Sequence, residues 1–139
     1  MKSVIIHLAA GGTGGHVFPA LAVAEVLKVK GFEPRLLTDR RGAALLAGID
    51  NPPFKTHVLS ADSPFQRGIF RRIIALGKLA CGALTACFLV GFARPSVMIG
   101  FGGYPSFAPL LVAHLLGMPT MVHEQKAHLG RANKLIAAK

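Results

Sequence analysis

The feature that most constrains this chain is a glycine-rich loop between a largely apolar run and a periodic segment. Four glycines fall within five positions at residues 11–15. The loop follows the run 4–8 and precedes residues 19–30, whose apolar side chains recur at helical spacing. We therefore predict a strand, a loop and a helix, with backbone N–H groups left uncovered for a phosphate or diphosphate at the helix start. A plain tight turn is the alternative, but it does not need four glycines.

The loop differs from two common nucleotide-binding motifs. A dinucleotide fingerprint needs a third glycine where this chain has Val17, and a P-loop needs Gly-Lys-Ser/Thr after the glycines. Asp39 closes the second predicted strand, which is late for an acid that binds ribose. A nucleotide-binding oxidoreductase is therefore a weak alternative.

Charge and composition narrow the class of partner. The 139 residues predict one domain, and 16 Lys and Arg against 6 Asp and Glu favour nucleic acid, an anionic membrane or a phosphorylated substrate. Nucleic acid is not expected, since the chain has one Tyr, no Trp and no nucleic-acid-binding motif. The high mean hydropathy favours a membrane surface. Cys81 and Cys87 are predicted to be small buried hydrophobes in a reducing compartment.

Strand and helix patterns alternate along the chain. This alternation predicts an α/β fold, a Rossmann-like doubly wound parallel sheet with strand order 3-2-1-4-5. The helix at 15–30 has Pro19 in its predicted first turn. The predicted strands are 3–10, 33–38, 54–59, 96–100 and 120–123, with further helices at 42–47 and 107–116.

The segment between strands 3 and 4 is unusually apolar. Residues 79–93 carry no charge, which allows a membrane span interrupted by Lys78, a buried core helix, or a helix lying on a bilayer. We favour a helix packed at its C-terminal half and facing a membrane at its N-terminal half; a solvated basic turn is the alternative. The predicted membrane-facing residues are Ile69, Phe70, Arg71, Arg72 and Ile73.

Two further motifs follow strands 4 and 5. Residues 100–106 form a second glycine loop, in which Ser106 is predicted to cap the next helix. His123 and Glu124 follow strand 5. Taken singly, each has a structural alternative: the glycine loop could be only a turn, His123 a hydrogen-bonded histidine at a strand end, and Glu124 an exposed charge. In the predicted strand order, however, both glycine loops and this pair line one crevice, and two amide-rich loops side by side suit a diphosphate.

Three segments resemble the MurG family of peptidoglycan N-acetylglucosaminyltransferases: 11–22, 99–106 and 122–134. The resemblance implies the N-terminal half of an inverting GT-B glycosyltransferase without metal or other cofactor. Such an enzyme moves GlcNAc from UDP-GlcNAc to undecaprenyl-diphosphate-linked muramyl pentapeptide, converting lipid I to lipid II. The implied location is peripheral, on the cytoplasmic face of the bacterial inner membrane.

The resemblance also implies roles for individual residues. Thr13, Gly14 and Gly15 border the donor and pyrophosphate region. The catalytic residues implied are His16, Tyr104 and Glu124, and the remaining substrate-binding residues are Gly12, Gly102, Gly103 and Lys126. Histidine suits proton transfer near neutral pH, so His16 is the candidate general base and Glu124 its rival.

The chain departs from the family in two ways. Lys126 stands where the family has Asn, and Lys donates hydrogen bonds but cannot accept them. A donor-binding C-terminal domain would need roughly another 150 residues. We therefore expect residues 1–139 to be an acceptor-binding, membrane-associating N-terminal domain, with its last part truncated, and inactive in isolation. The alternative is a lipid-diphosphate-binding or membrane-recruiting module without catalysis.

Overall fold

The computed structural model describes residues 3–61, 67–125, 127–130, 133, 134 and 137. Within them, five strands and four helices alternate along the chain. In order they are β1 (Ile5–Ala10), α1 (Gly14–Val29), β2 (Glu33–Thr38), α2 (Arg40–Leu46), β3 (Lys55–Val58), α3 (Ile69–Ala93), β4 (Val97–Gly102), α4 (Tyr104–Leu115) and β5 (Thr120–Val122).

The five strands form one parallel sheet in the order β3-β2-β1-β4-β5. The predicted strand order and the Rossmann-like α/β class are confirmed. Leu8 in the central strand lies opposite Leu36 of β2 and Ile99 of β4. The carboxyl ends of β1, β4 and β5 are therefore neighbours, and the loops that follow them emerge at one edge.

Both faces of the sheet are covered, because successive residues of a strand point to opposite sides. On one face, Leu8 and Leu36 pack with the α1 residues Val17, Ala20 and Ala24. The other face packs against α3 and α4. Its buried residues include Ala9, Leu37, Met98, Ala86, Val90 and Leu110.

His7 is a buried polar side chain in the middle of β1. It is 1% exposed, and neither ring nitrogen has a hydrogen-bond partner within the described part of the chain. Burial, reinforced by the nearby Arg35 guanidinium, lowers the pKa of His7 to about 4. The imidazole is therefore neutral at physiological pH and packs as part of the sheet.

Helix α3 buries only a narrow stripe of small residues. Ala75, Gly82, Ala86 and Val90 face the rest of the domain. The C-terminal half is packed along this stripe, but it is not a helix buried all round, because large apolar side chains there face outward. These are Leu84, Phe88 and Phe92, of which the last is 85% exposed. An apolar face thus runs along the whole helix.

Helix α3 also carries both cysteines of the chain and has the length of a membrane span. Cys81 and Cys87 are both exposed, so the prediction that they are buried is wrong. Among the described residues, α3 is the single helix that is long and apolar enough to cross a membrane. It nevertheless lies against the sheet and α4 along its small-residue stripe.

Two helix starts differ from prediction. Helix α4 begins at Tyr104 with Gly103 as its N-cap, so Ser106 lies inside the first turn and is not the cap. Its buried hydroxyl donates to the Gly103 carbonyl at 2.8 Å. Helix α1 begins at Gly14, which places Pro19 beyond the first turn, where its missing N–H leaves a helical carbonyl without its donor.

Candidate functional site at the carboxyl edge of the sheet

The first glycine loop joins β1 to α1 through a left-handed residue and an extended one. Gly12 has φ +81°, a conformation that side chains rarely adopt, and Thr13 is extended at the N-cap. The N–H groups of Thr13, Gly14 and Gly15 make no hydrogen bond within the described residues. They lie at the start of α1, where the helix dipole favours an anion.

One backbone N–H of the loop is already hydrogen-bonded, because it donates to the Asp39 carboxylate. The Gly12 N–H donates to Asp39 Oδ1 at 3.0 Å, and the Gly42 N–H donates to the same oxygen at 2.8 Å. The expectation of a wholly open loop is corrected at Gly12. Asp39 caps α2 and ties the glycine loop to it, a role that differs from ribose binding.

The His16 ring is held by the loop that precedes it. Its Nδ1 lies 3.2 Å from the Gly11 carbonyl oxygen and 3.2 Å from Thr13 Oγ1. A carbonyl only accepts, so the bond to Gly11 requires the proton on Nδ1. In the neutral ring, Nε2 then carries the lone pair, as a general base requires.

The second glycine loop contacts both the first loop and His16. Gly102 and Gly103 have φ +103° and +82°. A Cβ on Gly102 would lie 2.9 Å from His16 Nε2, and one on Gly103 would lie 2.5 Å from the Gly11 carbonyl oxygen. The predicted adjacency of the two loops is thus observed, and both positions exclude a side chain. Tyr104, half-buried, follows as the first residue of α4.

The segment after β5 is folded around the Glu124 carboxylate. Oε2 accepts from the Gly130 N–H at 2.8 Å and from Asn133 Nδ2 at 3.0 Å, while Oε1 accepts from the Gln125 N–H at 3.1 Å. Glu124 therefore organises its own loop, which sequence reasoning did not predict. The His123 ring is exposed and lies 5.3 Å from the Phe101 ring, centroid to centroid.

Gln125 and Asn133 join this segment to the glycine loops. The Gln125 side-chain amide donates to the Gly15 carbonyl, the helical acceptor that Pro19 leaves without an N–H. Asn133 is 2% exposed, lies beside Gly102 and donates to the His123 carbonyl at 3.3 Å. Sequence reasoning gave neither residue a role. Pro19 was the one available signal in the sequence, because a proline inside α1 predicts that the carbonyl of Gly15 needs a donor from outside the helix.

The remaining predicted site residues lie elsewhere or outside the described chain. Ile69, Phe70 and Ile73 are 65%, 80% and 59% exposed in the first turns of α3, with Arg71 and Arg72 exposed between them. The structure places this group on an exposed face of α3. Lys126 lies outside the described residues, so its predicted contact with substrate stays a prediction.

Comparison with known proteins identifies relatives of this chain. Two similar curated proteins, from Agrobacterium fabrum (strain C58 / ATCC 33970) and Paramagnetospirillum magneticum (strain ATCC 700264 / AMB-1), are each 45% identical to the chain. Both are named UDP-N-acetylglucosamine--N-acetylmuramyl-(pentapeptide) pyrophosphoryl-undecaprenol N-acetylglucosamine transferase. The matches cover 100% and 96% of this chain but 36% and 35% of the relatives, so the chain spans little more than a third of their length.

A solved structure and a family model point the same way. The crystal structure of Acinetobacter baumannii MurG matches with a TM-score of 0.79 and 30% identity, covering 99% of this chain and 39% of that one. The model described as the glycosyltransferase family 28 N-terminal domain matches residues 6–139. Since that match covers nearly the whole chain, the chain belongs to the glycosyltransferase family 28 N-terminal domain family.

Proposed function

We propose that this chain is the acceptor-binding half of an enzyme that transfers GlcNAc from UDP-GlcNAc to undecaprenyl-diphosphate-linked muramyl pentapeptide. The observation that carries the proposal is the contact between the two glycine loops, with the His16 ring held against Gly11 and Gly102. Family membership supplies the reaction class, and the names of the relatives supply the donor and acceptor.

In the proposed mechanism, His16 accepts the proton of the attacking hydroxyl. Its Nδ1–H bond to Gly11 holds the ring so that Nε2 is the basic atom. As the acceptor oxygen forms its bond to the anomeric carbon of GlcNAc, the bond from that carbon to the UDP oxygen breaks, and configuration inverts. Developing negative charge near the start of α1 is stabilised by the N–H groups of Gly14 and Gly15.

The membrane part of the proposal rests on α3. We propose that Ile69, Phe70 and Ile73 insert into the cytoplasmic face of the bacterial cell membrane while Arg71 and Arg72 contact anionic headgroups. A helix with a large exposed apolar face and neighbouring cations is suited to lie in a membrane interface. A lipid-linked acceptor would then approach the site from the surface on which the domain rests.

A transfer assay tests the proposed function. The chain joined to the C-terminal domain of the Agrobacterium relative should transfer radiolabelled GlcNAc to a lipid I analogue, and the 139-residue chain alone should give no measurable turnover. In the proposed mechanism the sugar is held in line by the domain that is joined to the chain, and such positioning can account for about 7–11 kcal/mol of the barrier. Diphosphate binding without transfer by the joined protein would favour a non-catalytic binding module.

Vesicle co-sedimentation tests the membrane surface. Replacing both Ile69 and Phe70 by serine should abolish most binding, and Arg71→Gln with Arg72→Gln should weaken binding to anionic vesicles by several-fold at low salt. Each basic residue near such a surface contributes on the order of 1 kcal/mol, screened by salt. Val29→Ser, which removes an 88% exposed apolar side chain from α1, is the control and should bind normally. Equal binding by all variants would contradict the proposed surface.

A further inference from the structure

A proline inside α1 leaves a backbone carbonyl that needs a donor from outside the helix. In an α-helix the Gly15 carbonyl accepts from the N–H of residue 19, but Pro19 has no N–H. The side-chain amide of Gln125 donates to this carbonyl instead. The two partners are 110 positions apart, so this bond joins the first turn of α1 to the segment that follows β5.

The Gly15 carbonyl belongs to the peptide unit that leads into His16. This unit is planar, so the Gly15 carbonyl and the His16 N–H turn together. On the N–H side, His16 donates to the Thr13 carbonyl at 3.1 Å. On the carbonyl side, Gln125 is the donor. The peptide unit is thus hydrogen-bonded at both ends, and its orientation limits the directions in which the His16 side chain can leave the backbone.

The hydrogen bonds of the His16 ring come from the loop that precedes it. Nδ1 lies 3.2 Å from both the Gly11 carbonyl oxygen and Thr13 Oγ1, at the long end of the usual range for hydrogen bonds. Because Gly11 and Thr13 belong to the same loop as His16, these bonds hold the ring relative to that loop. They do not by themselves fix the ring relative to the segment after β5.

The segment that carries Gln125 is itself anchored to the sheet. The His123 N–H donates to the Gly100 carbonyl of β4 at 2.7 Å. The Gln125 N–H donates to Glu124 Oε1 at 3.1 Å. The backbone of Gln125 is therefore held in place, and its side chain connects an anchored strand end to the peptide unit before His16.

We infer that Gln125 is a positioning residue for His16. Its bond to the Gly15 carbonyl holds the first turn of α1, so that His16 Nε2 stays where the proposed mechanism needs a proton acceptor. The inference rests on the proposed function, since it assigns Gln125 to the same reaction. Gln125 acts through the backbone, and Pro19 contributes by leaving the carbonyl open to it.

Two substitutions and their combination test this assignment in the chain joined to a family C-terminal domain. Gln125→Ala removes the donor and should lower kcat by about tenfold or more, because misplacing a group by about 1 Å can cost about 10²-fold in rate. Pro19→Ala supplies a helical N–H to the Gly15 carbonyl, so adding it to Gln125→Ala should restore most of the lost kcat. A residue that acts by contacting substrate would not be rescued in this way.

Pro109→Ala is the matched control for the rescue. It makes the same change inside α4 and should not restore the kcat of Gln125→Ala. Gln125→Glu keeps the size of the side chain but replaces the amide donor by a carboxylate, which only accepts, so it should lose as much kcat as Gln125→Ala. Gln125 is exposed, so water can replace the lost bond and the Tm should change little.

Nitrogen-15 NMR of the His16 ring gives a readout that does not require turnover. In the neutral ring of the wild-type 139-residue chain, the proton should reside on Nδ1, because the Gly11 carbonyl accepts from that nitrogen. Gln125→Ala should shift the ring toward a mixture of the two tautomers. Adding Pro19→Ala should return the spectrum to that of the wild type.

Wild-type kcat together with a wild-type His16 spectrum in Gln125→Ala would overturn the inference. So would a loss of kcat that Pro19→Ala fails to restore, or one that Pro109→Ala restores equally well. A fall in Tm with unchanged kcat would also overturn it, since Gln125 would then be a structural residue only. The proposed function fails separately, if the joined wild-type protein transfers no GlcNAc, and the ring spectra then still show whether Gln125 orients His16.

Discussion

His16→Ala, introduced into the chain joined to a family C-terminal domain, is expected to lower turnover by about 10²-fold or more, the range for lost acid–base catalysis. The Nδ1–H bond to Gly11 and the contact with Gly102 hold the ring at the junction of the two glycine loops. Alanine removes the basic Nε2. Thermal unfolding should shift little, since His16 is half-buried and its bonds are made at the edge of the sheet.

The control for His16 is His114→Ala, which removes an exposed histidine from the last turn of α4 and should leave turnover unchanged. A large fall in Tm with near-normal turnover would instead make His16 a structural residue.

Gly82→Ala is expected to destabilise the protein, although the same change elsewhere in α3 should stabilise it. Replacing glycine by alanine in an open helix interior typically gains about 0.5–1 kcal/mol. Among the described residues, nothing lies within 4 Å of a new Cβ at Gly77 or Gly91, so both variants should show that gain. At Gly82 the Cβ would overlap the Ser60 carbonyl oxygen, and overpacking of this kind costs about 1–3 kcal/mol.

Denaturant unfolding of the three single variants measures this difference. The free energy of unfolding should rise for Gly77→Ala and Gly91→Ala and fall for Gly82→Ala. The three residues share one helix, so helix propensity cancels in the comparison and the difference reports the approach of α3 to Ser60. A rise in all three variants would show that α3 does not lie against residue 60.

Much of the fold could be predicted because its signals are local. The bounds of β2 match the prediction residue for residue, and alternating strand and helix patterns led to the observed strand order. That order in turn predicts that the two glycine loops lie side by side, as they do in the structure. Topology rules act on whole elements, so errors of a few residues at their ends do not affect this result.

The connections within the site could not be predicted, because they are side-chain contacts between distant positions. Asp39 reaches a loop 27 residues earlier, and Gln125 reaches a carbonyl 110 residues earlier. Neither spacing follows a helix or strand period. Family resemblance gave Glu124 a catalytic role, yet the structure adds a structural one, since both oxygens accept bonds from its own segment.

The packing of α3 was misjudged because the helix is apolar on nearly every side. Hydrophobic periodicity identifies a buried face only when the opposite face is polar. Residue size was the more useful signal, since the face nearest the sheet carries Gly82 and Ala86 while the outward face carries Phe88 and Phe92. The small residues allow α3 to pack closely against the rest of the domain, whereas the large apolar side chains face away from it.

The hydrogen bond from the Gly12 N–H to Asp39 has an entropic consequence for any ligand of the loop. Fixing the backbone of a residue costs roughly 1–2 kcal/mol, and glycine has the most freedom to lose. Asp39 and the bond from Gln125 to Gly15 hold the loop from both ends when the chain folds. The loop is therefore already ordered in the folded protein, so binding of an anion does not have to order it. Preorganisation of this kind increases the affinity for the anion.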